Sequence, residues 1–293
     1  MEVMKAQVET YLDYLRFQRY APDNTVVAKQ QDLKKVYAVC LKKKINSWSD
    51  FTVAHLRELV ASELKAGRNP KSINRMLTTI RTLYRHLKTE GVVEVNPADG
   101  FQGPKQAQKL PQVLAVEECS QMLDAEADGF LGVRDQAILE LFYSAALRVT
   151  ELVELTMDKL NMKDGFVRVI GKGNKEREVP VGTKALEALA RWLEYRGKLK
   201  APEPNVFLGF YGKALTQRAV QKRVKAMGER TLGKHLHPHT MRHSCATHLL
   251  QSSQDIRAVQ EILGHANIAT TQLYTHLDLQ YTKQVVRQSH PRG

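Results

Sequence analysis

The residues best suited to chemistry lie between positions 237 and 276. His239 and Arg242 stand three residues apart, which on a helix places an imidazole and a guanidinium on one face. His265 follows a Leu-Gly step, and Tyr274 comes nine residues after it. A guanidinium forks onto phosphate oxygens, an imidazole exchanges protons near neutral pH, and a phenol oxygen can form a covalent intermediate. The set predicts phosphoryl transfer without a metal ion.

Two other interpretations of this stretch stay open from the residues alone. A cluster of four histidines could ligate a transition metal such as zinc: His235, His237, His239 and His243. The permanent charge of Arg242 would oppose a bound cation, and a metal site leaves Tyr274 without a role. An isolated tyrosine, in turn, is most often a core residue packed between helices.

Length and charge indicate a two-domain protein with a polyanionic partner. A chain of 293 residues predicts about two domains. Its net charge of +13 and isoelectric point near 9.6 favour a polyanion as partner. The excess is spread along the chain, with 19 basic and 11 acidic residues in 1–110 and 25 and 20 in 111–293. Two basic halves favour contact with the polyanion through both; a merely soluble basic protein is the alternative.

Cysteine usage predicts a reducing compartment. Cys40, Cys119 and Cys245 are odd in number, far apart and in no C-x-x-C pair. They indicate neither a disulfide framework nor a thiolate zinc site. The N-terminal residues lack the apolar stretch of a secretion signal, and no apolar run reaches the length of a membrane span. We expect a cytoplasmic protein.

Residues 1–102 carry helical periodicity and predict a helical domain. Its most informative segment is 71–88, where apolar residues recur at intervals of three and four and therefore share one face. Basic residues occupy the opposite face: Lys71, Arg75, Arg81, Arg85 and Lys88. That face could contact a phosphate backbone, although a solvated charged face is the ordinary alternative. Proline-bounded residues 103–112, including Lys105, predict a basic linker that could follow a duplex.

Residues 113–293 predict a second domain that combines helices with a hairpin. Arg148 lies in a turn just before a helix that Thr150 could cap, which would aim its side chain into a cleft; a surface arginine is the alternative. The strands are expected at 166–170 and 176–181, and Lys172 lies at the glycine-rich tip between them. A helix over 216–227 carries Arg218 and Lys222. No Walker or G-x-G-x-x-G loop occurs, which argues against nucleotide dependence.

Five separated motifs together resemble the tyrosine recombinase (phage integrase) family, in the family's order and spacing. They are Arg148, Lys172, His239-Thr240-Met241-Arg242, Leu263-Gly264-His265 and Thr270-Thr271-Gln272-Leu273-Tyr274-Thr275-His276. The resemblance implies a mainly α fold with a small β-sheet. It also implies an N-terminal helical, SAM-like core-binding domain and a C-terminal catalytic domain that clamp DNA. Ala146 departs from the family's usual glycine; if its backbone is left-handed, the alanine costs about 1 kcal/mol.

The resemblance also implies a mechanism and its residues. Tyr274 would attack the scissile phosphate and form a 3′-phosphotyrosyl bond, so neither a metal ion nor a cofactor is expected. Arg148 and Arg242 would clamp the nonbridging oxygens, and His265 would hydrogen-bond one of them. His239 would help to remove the phenol proton, and Lys172 would protonate the 5′-oxygen that leaves.

Within the family the motifs are most similar to the Xer subfamily, which implies particular partners. These are double-stranded DNA with a dif-like site, a XerD-like paralogue in a heterotetramer on two duplexes, and control by an FtsK translocase. The segment 280–293 would pack into a neighbouring protomer, and the protein would act at the nucleoid. Alternatives are a mobile-element integrase or plasmid resolvase of the same chemistry, and a DNA-binding protein without catalysis.

Overall fold

The structure is a computed structural model that describes residues 2–105, 112–171, 176–200, 202–253, 255–263 and 289–292. The chain divides into two compact units, Met1–Lys109 and Leu110–Gly293. Within the described ranges, no helix is both long enough and apolar enough to cross a lipid bilayer.

In its described part, the first unit has four α-helices: α1 (Glu2–Asp13), α2 (Asp23–Lys42), α3 (Val53–Lys65) and α4 (Pro70–Thr89). A π-helical turn over Tyr14–Gln18 continues α1, and a 3-10 turn over Trp48–Asp50 precedes α3. The apolar faces of the helices meet in one core. This arrangement confirms the predicted helical unit.

Helix α4 shows how closely sequence pattern fixes an element. Asn69 caps it by accepting a hydrogen bond from the Lys71 backbone N–H at 2.9 Å, and Pro70 takes the first position, where no N–H partner is needed. The predicted apolar face is buried. Helix α3 begins after Thr52, and Ser49 and Asp50 lie in the 3-10 turn that precedes it.

In its described part, the second unit has seven α-helices and three strands. The helices are α5 (Val116–Leu123), α6 (Gly129–Ala145), α7 (Val149–Val153), α8 (Thr183–Gly197), α9 (Gln217–Leu232), α10 (Pro238–Ser253) and α11 (Ile256–Leu263). The strands are β1 (Leu160–Asn161), β2 (Phe166–Ile170) and β3 (Glu176–Pro180). Helix α6 is buried along most of its length and forms the centre of the unit.

The strands form an antiparallel sheet in the order β1-β2-β3. In β2, Val167 and Val169 face the core, and their cross-strand partners in β3 are Val179 and Arg177. Because side chains alternate between the two faces of a strand, Arg177 lies on the core side. The predicted hairpin is confirmed, with β3 ending at Pro180 rather than Val181.

Two features set the position of α10 relative to α6 and α9. Cys245 and Met241 of α10 are fully buried against the same core as α6. Between α9 and α10 the chain folds back so closely that a Cβ at Gly228 would lie 2.6 Å from the Leu236 side chain and 2.9 Å from the Lys234 carbonyl oxygen. A glycine in the middle of a helix is therefore required here by close approach.

We expect Gly228→Ala to lower the free energy of unfolding by about 1 kcal/mol, as measured by urea titration. Alanine favours a helix by about 1 kcal/mol, but overpacking costs about 1–3 kcal/mol. The backbone oxygen in the contact cannot rotate away, so overpacking prevails. Gly197→Ala is the matched control, because nothing lies within 4 Å of its Cβ; it should be neutral or stabilising. A stabilised Gly228→Ala variant would contradict the packing.

Candidate functional site

Arg148 is held at the junction between α6 and α7. Helix α6 ends at Ala145, and the next residue, Ala146, has a left-handed backbone with φ 47°. Arg148 then forms the N-cap of α7, and its backbone N–H donates to Glu151 Oε2 at 2.8 Å. The predicted cap at Thr150 was wrong, since that residue lies inside α7. The Glu151 carboxylate, three positions after Arg148, accepts the backbone N–H of this N-cap residue instead.

Glu151 is a buried carboxylate that binds two arginines. Its Oε1 accepts from Arg148 Nη1 at 2.7 Å and from Arg177 Nη1 at 2.8 Å. Its Oε2 accepts from Arg177 Nη2 at 3.0 Å. Burial by itself would raise the pKa of Glu151, but the hydrogen bonds from Arg177 and Arg148 outweigh it and lower that pKa. Glu151 is therefore a carboxylate anion that fixes two cations.

Arg242 reaches the same place from α10. Its Nη1 donates to the carbonyl oxygen of Ala146, and its Nη2 donates to that of Leu263 at 2.5 Å. Arg148 Nη2 lies 3.5 Å from the Leu263 oxygen. The left-handed turn at Ala146 thus ends α6 and turns a carbonyl towards Arg242. Two guanidinium groups from separate helices converge on the C-terminal carbonyl of α11.

The convergence creates a strongly electropositive point. Arg242 is only 6% exposed. Burial, with the nearby charge of Arg148, lowers the pKa of Arg242 to about 10, so its cationic form is held against like-charge repulsion. A bound anion would offset both the burial of the Arg242 charge and its repulsion by Arg148. The hydrogen bonds to Ala146, Leu263 and Glu151 hold the two guanidinium groups in place side by side.

His239 lies in the first turn of α10, three residues before Arg242. Burial, and then the charges of His243, Arg242 and Arg148, lower the pKa of His239 below its usual 6.5. His239 is therefore neutral at pH 7 and able to accept a proton. His235 and His237 precede α10, with ring centroids 4.7 Å apart. The described ranges hold no group of three or more histidine, cysteine or carboxylate side chains placed to bind a metal ion.

Three of the predicted catalytic residues lie outside the described residues: Lys172, His265 and Tyr274. The structure brings together Arg148, His239 and Arg242, the other three. Leu263, whose carbonyl the two arginines approach, precedes the Gly264-His265 motif in the chain.

The last described residues contact their own chain. His290 is buried, and its Nε2 lies 2.9 Å from the Tyr143 carbonyl oxygen in α6. Burial lowers the pKa of His290 to about 4. Arg292 pairs with Glu140 at 2.5 Å and with Asp124 at 2.9 Å. In the single chain, the closing residues of the segment expected to pack into a neighbour therefore lie on the second unit itself.

Of the basic residues predicted to contact DNA in the first unit, some are exposed and others make contacts within the unit. Lys71, Arg85 and Lys105 are exposed. Arg75 pairs at 2.9 Å with the buried carboxylate of Asp32. Arg81 donates to the carbonyls of Ala98 and Phe101, so it joins α4 to the segment that follows the helix. Both arginines thus have a structural role that the helical pattern does not reveal.

The basic residues of α9 also differ in whether they meet solvent or a buried partner. Arg218 and Lys222 are exposed, as expected for residues that could meet a phosphate backbone. Arg223 is partly exposed, and its guanidinium pairs with Asp135 of α6. Asp135 is 1% exposed and also binds Arg134 at 2.7 Å. The ion pair between Arg223 and Asp135 holds α9 against α6, while Arg218 and Lys222 remain on the surface of the helix.

Sequence reasoning did not identify the roles of Glu151 and Arg177. For Glu151 the available signal was its place three residues after Arg148, where a carboxylate can cap a helix start. For Arg177 it was the alternation of the hairpin, which places a charged residue in register with three inward-facing valines. Neither signal alone indicates that the two side chains meet.

Comparison with known proteins assigns the fold and site to a class. The phage integrase family model matches residues 112–280, and the model for the phage integrase N-terminal SAM-like domain matches residues 8–91. The chain belongs to the phage integrase family. It is a tyrosine recombinase, an enzyme that exchanges DNA strands.

Comparison with individual proteins shows which members of the family the chain resembles. The chain is 48% identical to the tyrosine recombinase XerC of Stutzerimonas stutzeri over 99% of this chain and 97% of that protein. It is equally similar to the XerC of Azotobacter vinelandii over the same shares. Among solved structures, XerH bound to a palindromic difH substrate has a TM-score of 0.71 at 24% identity, covering 95% of this chain and 83% of that one.

We expect His239 to titrate below pH 6.5 in NMR spectra of the histidine rings, and Arg148→Ala to raise its midpoint. Removing the Arg148 charge takes away one of the causes that favour neutral imidazole. The control is Arg168→Ala, which removes a charge from the outer face of the hairpin and should leave the midpoint unchanged. An unchanged midpoint in Arg148→Ala would contradict the proximity of the two side chains.

Proposed function

We propose that this recombinase cuts DNA through nucleophilic attack of Tyr274 on a phosphodiester. The attack forms a 3′-phosphotyrosyl bond and releases a 5′-hydroxyl, which then attacks the phosphotyrosyl bond of the partner strand and releases the tyrosine held there. One phosphodiester-type bond replaces another at each step, so no external energy source is needed. Tyr274, Lys172 and His265 enter this proposal through their motifs.

The observation that carries the proposal is the convergence of Arg148 and Arg242 on one carbonyl. Together with Arg177 and the Glu151 anion, they form a cluster with a formal charge of about +2. A phosphodiester carries one negative charge, and attack by a phenolate brings a second into the pentacoordinate transition state. Donors fixed before the reaction stabilise that added charge without reorganisation, and each contributes about 10²–10³-fold in rate.

Proton transfers complete the mechanism. A phenol with a reference pKa of about 10 must lose its proton on attack. His239, kept neutral by its surroundings, is the proposed acceptor. An alkoxide is a poor leaving group, so an acid must protonate the 5′-oxygen; Lys172 is proposed for this step. His265 is proposed to donate a hydrogen bond to a nonbridging oxygen.

We propose that both units contact the same duplex as a clamp. Five exposed basic residues are the best candidates for phosphate contacts: Lys71, Arg85, Lys105, Arg218 and Lys222. Arg75 and Arg81 are weaker candidates, since each serves an internal contact. Lys172 is retained as a candidate from its hairpin position. Binding through such contacts should weaken with added salt.

The particular role we propose is that of a XerC. Relatives of that name match nearly the whole chain at 48% identity. The enzyme would act at a dif-like site with a XerD-like paralogue in a heterotetramer on two duplexes. It would resolve chromosome dimers at cell division, under the control of an FtsK translocase. Such a substrate would place it in the cytoplasm at the nucleoid.

Tyr274→Phe should bind its DNA site as the parent does and form no covalent protein–DNA adduct. The phenylalanine keeps the ring but lacks the attacking oxygen. The measurement is a denaturing gel after incubation with a nicked substrate that traps the cut intermediate. Tyr211→Phe, at a tyrosine that is 90% exposed and outside the motif, should form adduct normally. Adduct in Tyr274→Phe would assign the nucleophile to another residue.

Footprinting on a dif-like duplex tests the finer proposal. The chain alone should protect one half-site, and addition of a XerD-like paralogue should extend protection to the other and permit strand exchange. Titration with salt should reduce protection of both. Exchange by this chain alone, on a site unrelated to dif, would instead indicate a mobile-element integrase or plasmid resolvase.

A further inference from the structure

Arg177 lies on the strand that returns from the hairpin tip, at a place where a charge is unexpected. Its cross-strand partner is Val169, and Val179 follows two residues later on the same face. Both valines are buried, and the Arg177 side chain is 16% exposed. The sheet therefore directs this guanidinium inward, towards α7 rather than towards solvent.

The inward direction leads to one partner. Arg177 Nη1 and Nη2 donate to the two oxygens of Glu151 at 2.8 and 3.0 Å, a two-pronged pair. Glu151 holds Arg148 at the same time, through the backbone N–H and through Nη1. Arg177 thus meets the functional site through the carboxylate, and its contact with Arg148 is indirect.

Sharing the carboxylate sets how Arg148 is held. With Arg177 in place, Glu151 Oε2 accepts from Arg177 Nη2 and from the Arg148 backbone N–H, and Oε1 is shared by the Arg148 and Arg177 side chains. Without Arg177, a carboxylate with a side-chain exposure of 2% would keep one cationic partner. A buried anion with a single cation draws it into the closest available pair. The Arg148 side chain, which reaches Oε1 through Nη1 and approaches the Leu263 oxygen through Nη2, would then rotate Nη2 onto the vacated Oε2 and away from the point where Arg242 converges.

We infer that Arg177 is a positioning residue for strand cleavage, which occupies Glu151 so that Arg148 stays directed at the scissile phosphate. The inference rests on the proposed function, because it needs Arg148 to act on that phosphate. Arg177 touches no reacting atom in this scheme. It aligns a group whose displacement by about 1 Å can cost about 10²-fold in rate.

The test compares variants of the full chain in single-turnover adduct formation on a nicked substrate. Arg177→Ala should slow adduct formation by about 10²-fold, with half-site affinity close to that of the parent. Arg177→Lys should recover part of the rate, since lysine keeps the charge but lacks the forked donor. Arg168→Ala is the matched control, because Arg168 lies on the outer face of the same hairpin and pairs at 3.0 Å with Glu178. It should behave as the parent.

Two further measurements separate positioning from a purely structural role. A methylphosphonate at the scissile position replaces a charged oxygen by a neutral methyl and lessens the need for Arg148. The loss caused by Arg177→Ala should shrink to less than about 10-fold on that substrate. In a Glu151→Gln background, adding Arg177→Ala should cost little more, because the effect passes through the carboxylate.

The outcomes are distinguishable. A parent rate in Arg177→Ala, or an equal loss on both substrates together with a lower unfolding midpoint, would overturn the inference and leave the proposed function standing. Failure of the parent itself to form adduct would remove the proposed function, and the inference with it.

Discussion

The second unit depends on one constraint: it must hold several positively charged arginines close together in a partly buried place. Arg148 and Arg242 approach one carbonyl oxygen, and Arg177 lies one carboxylate away. Such groups repel each other and lose hydration on burial, so separate elements must hold each of them. The N-cap of α7, the interior of α10 and the inner face of β3 supply that support. The repulsion left over is what an anionic substrate would relieve.

The backbone shares in this work. A left-handed residue at Ala146 costs about 1 kcal/mol without glycine, yet it places a carbonyl where Arg242 can donate to it. The close approach at Gly228 lets the chain fold back beneath α9 before α10 begins. Both features lower the stability of the fold and place groups of the site, which is common where chemistry requires fixed groups.

Basic charge in this chain has two uses, and only contacts distinguish them. Arg75 and Arg223 neutralise the buried carboxylates Asp32 and Asp135, and so hold helices together. Arg218 and Lys222 project into solvent from α9. A net charge of +13 is therefore a sound indication of a polyanionic partner, but it overstates the number of residues available to meet one.

The sequence by itself determined the helices, the hairpin and the identity of the central cations, because periodicity and motif spacing are local properties. It placed His239 and Arg242 on one helix and Arg148 at a turn before another. Only the tertiary structure decided that both arginines meet at Leu263 and that Glu151 binds Arg148 together with Arg177. Those residues are separated by up to 115 positions in the chain, and contact across such distances depends on how α6, α10 and the hairpin pack.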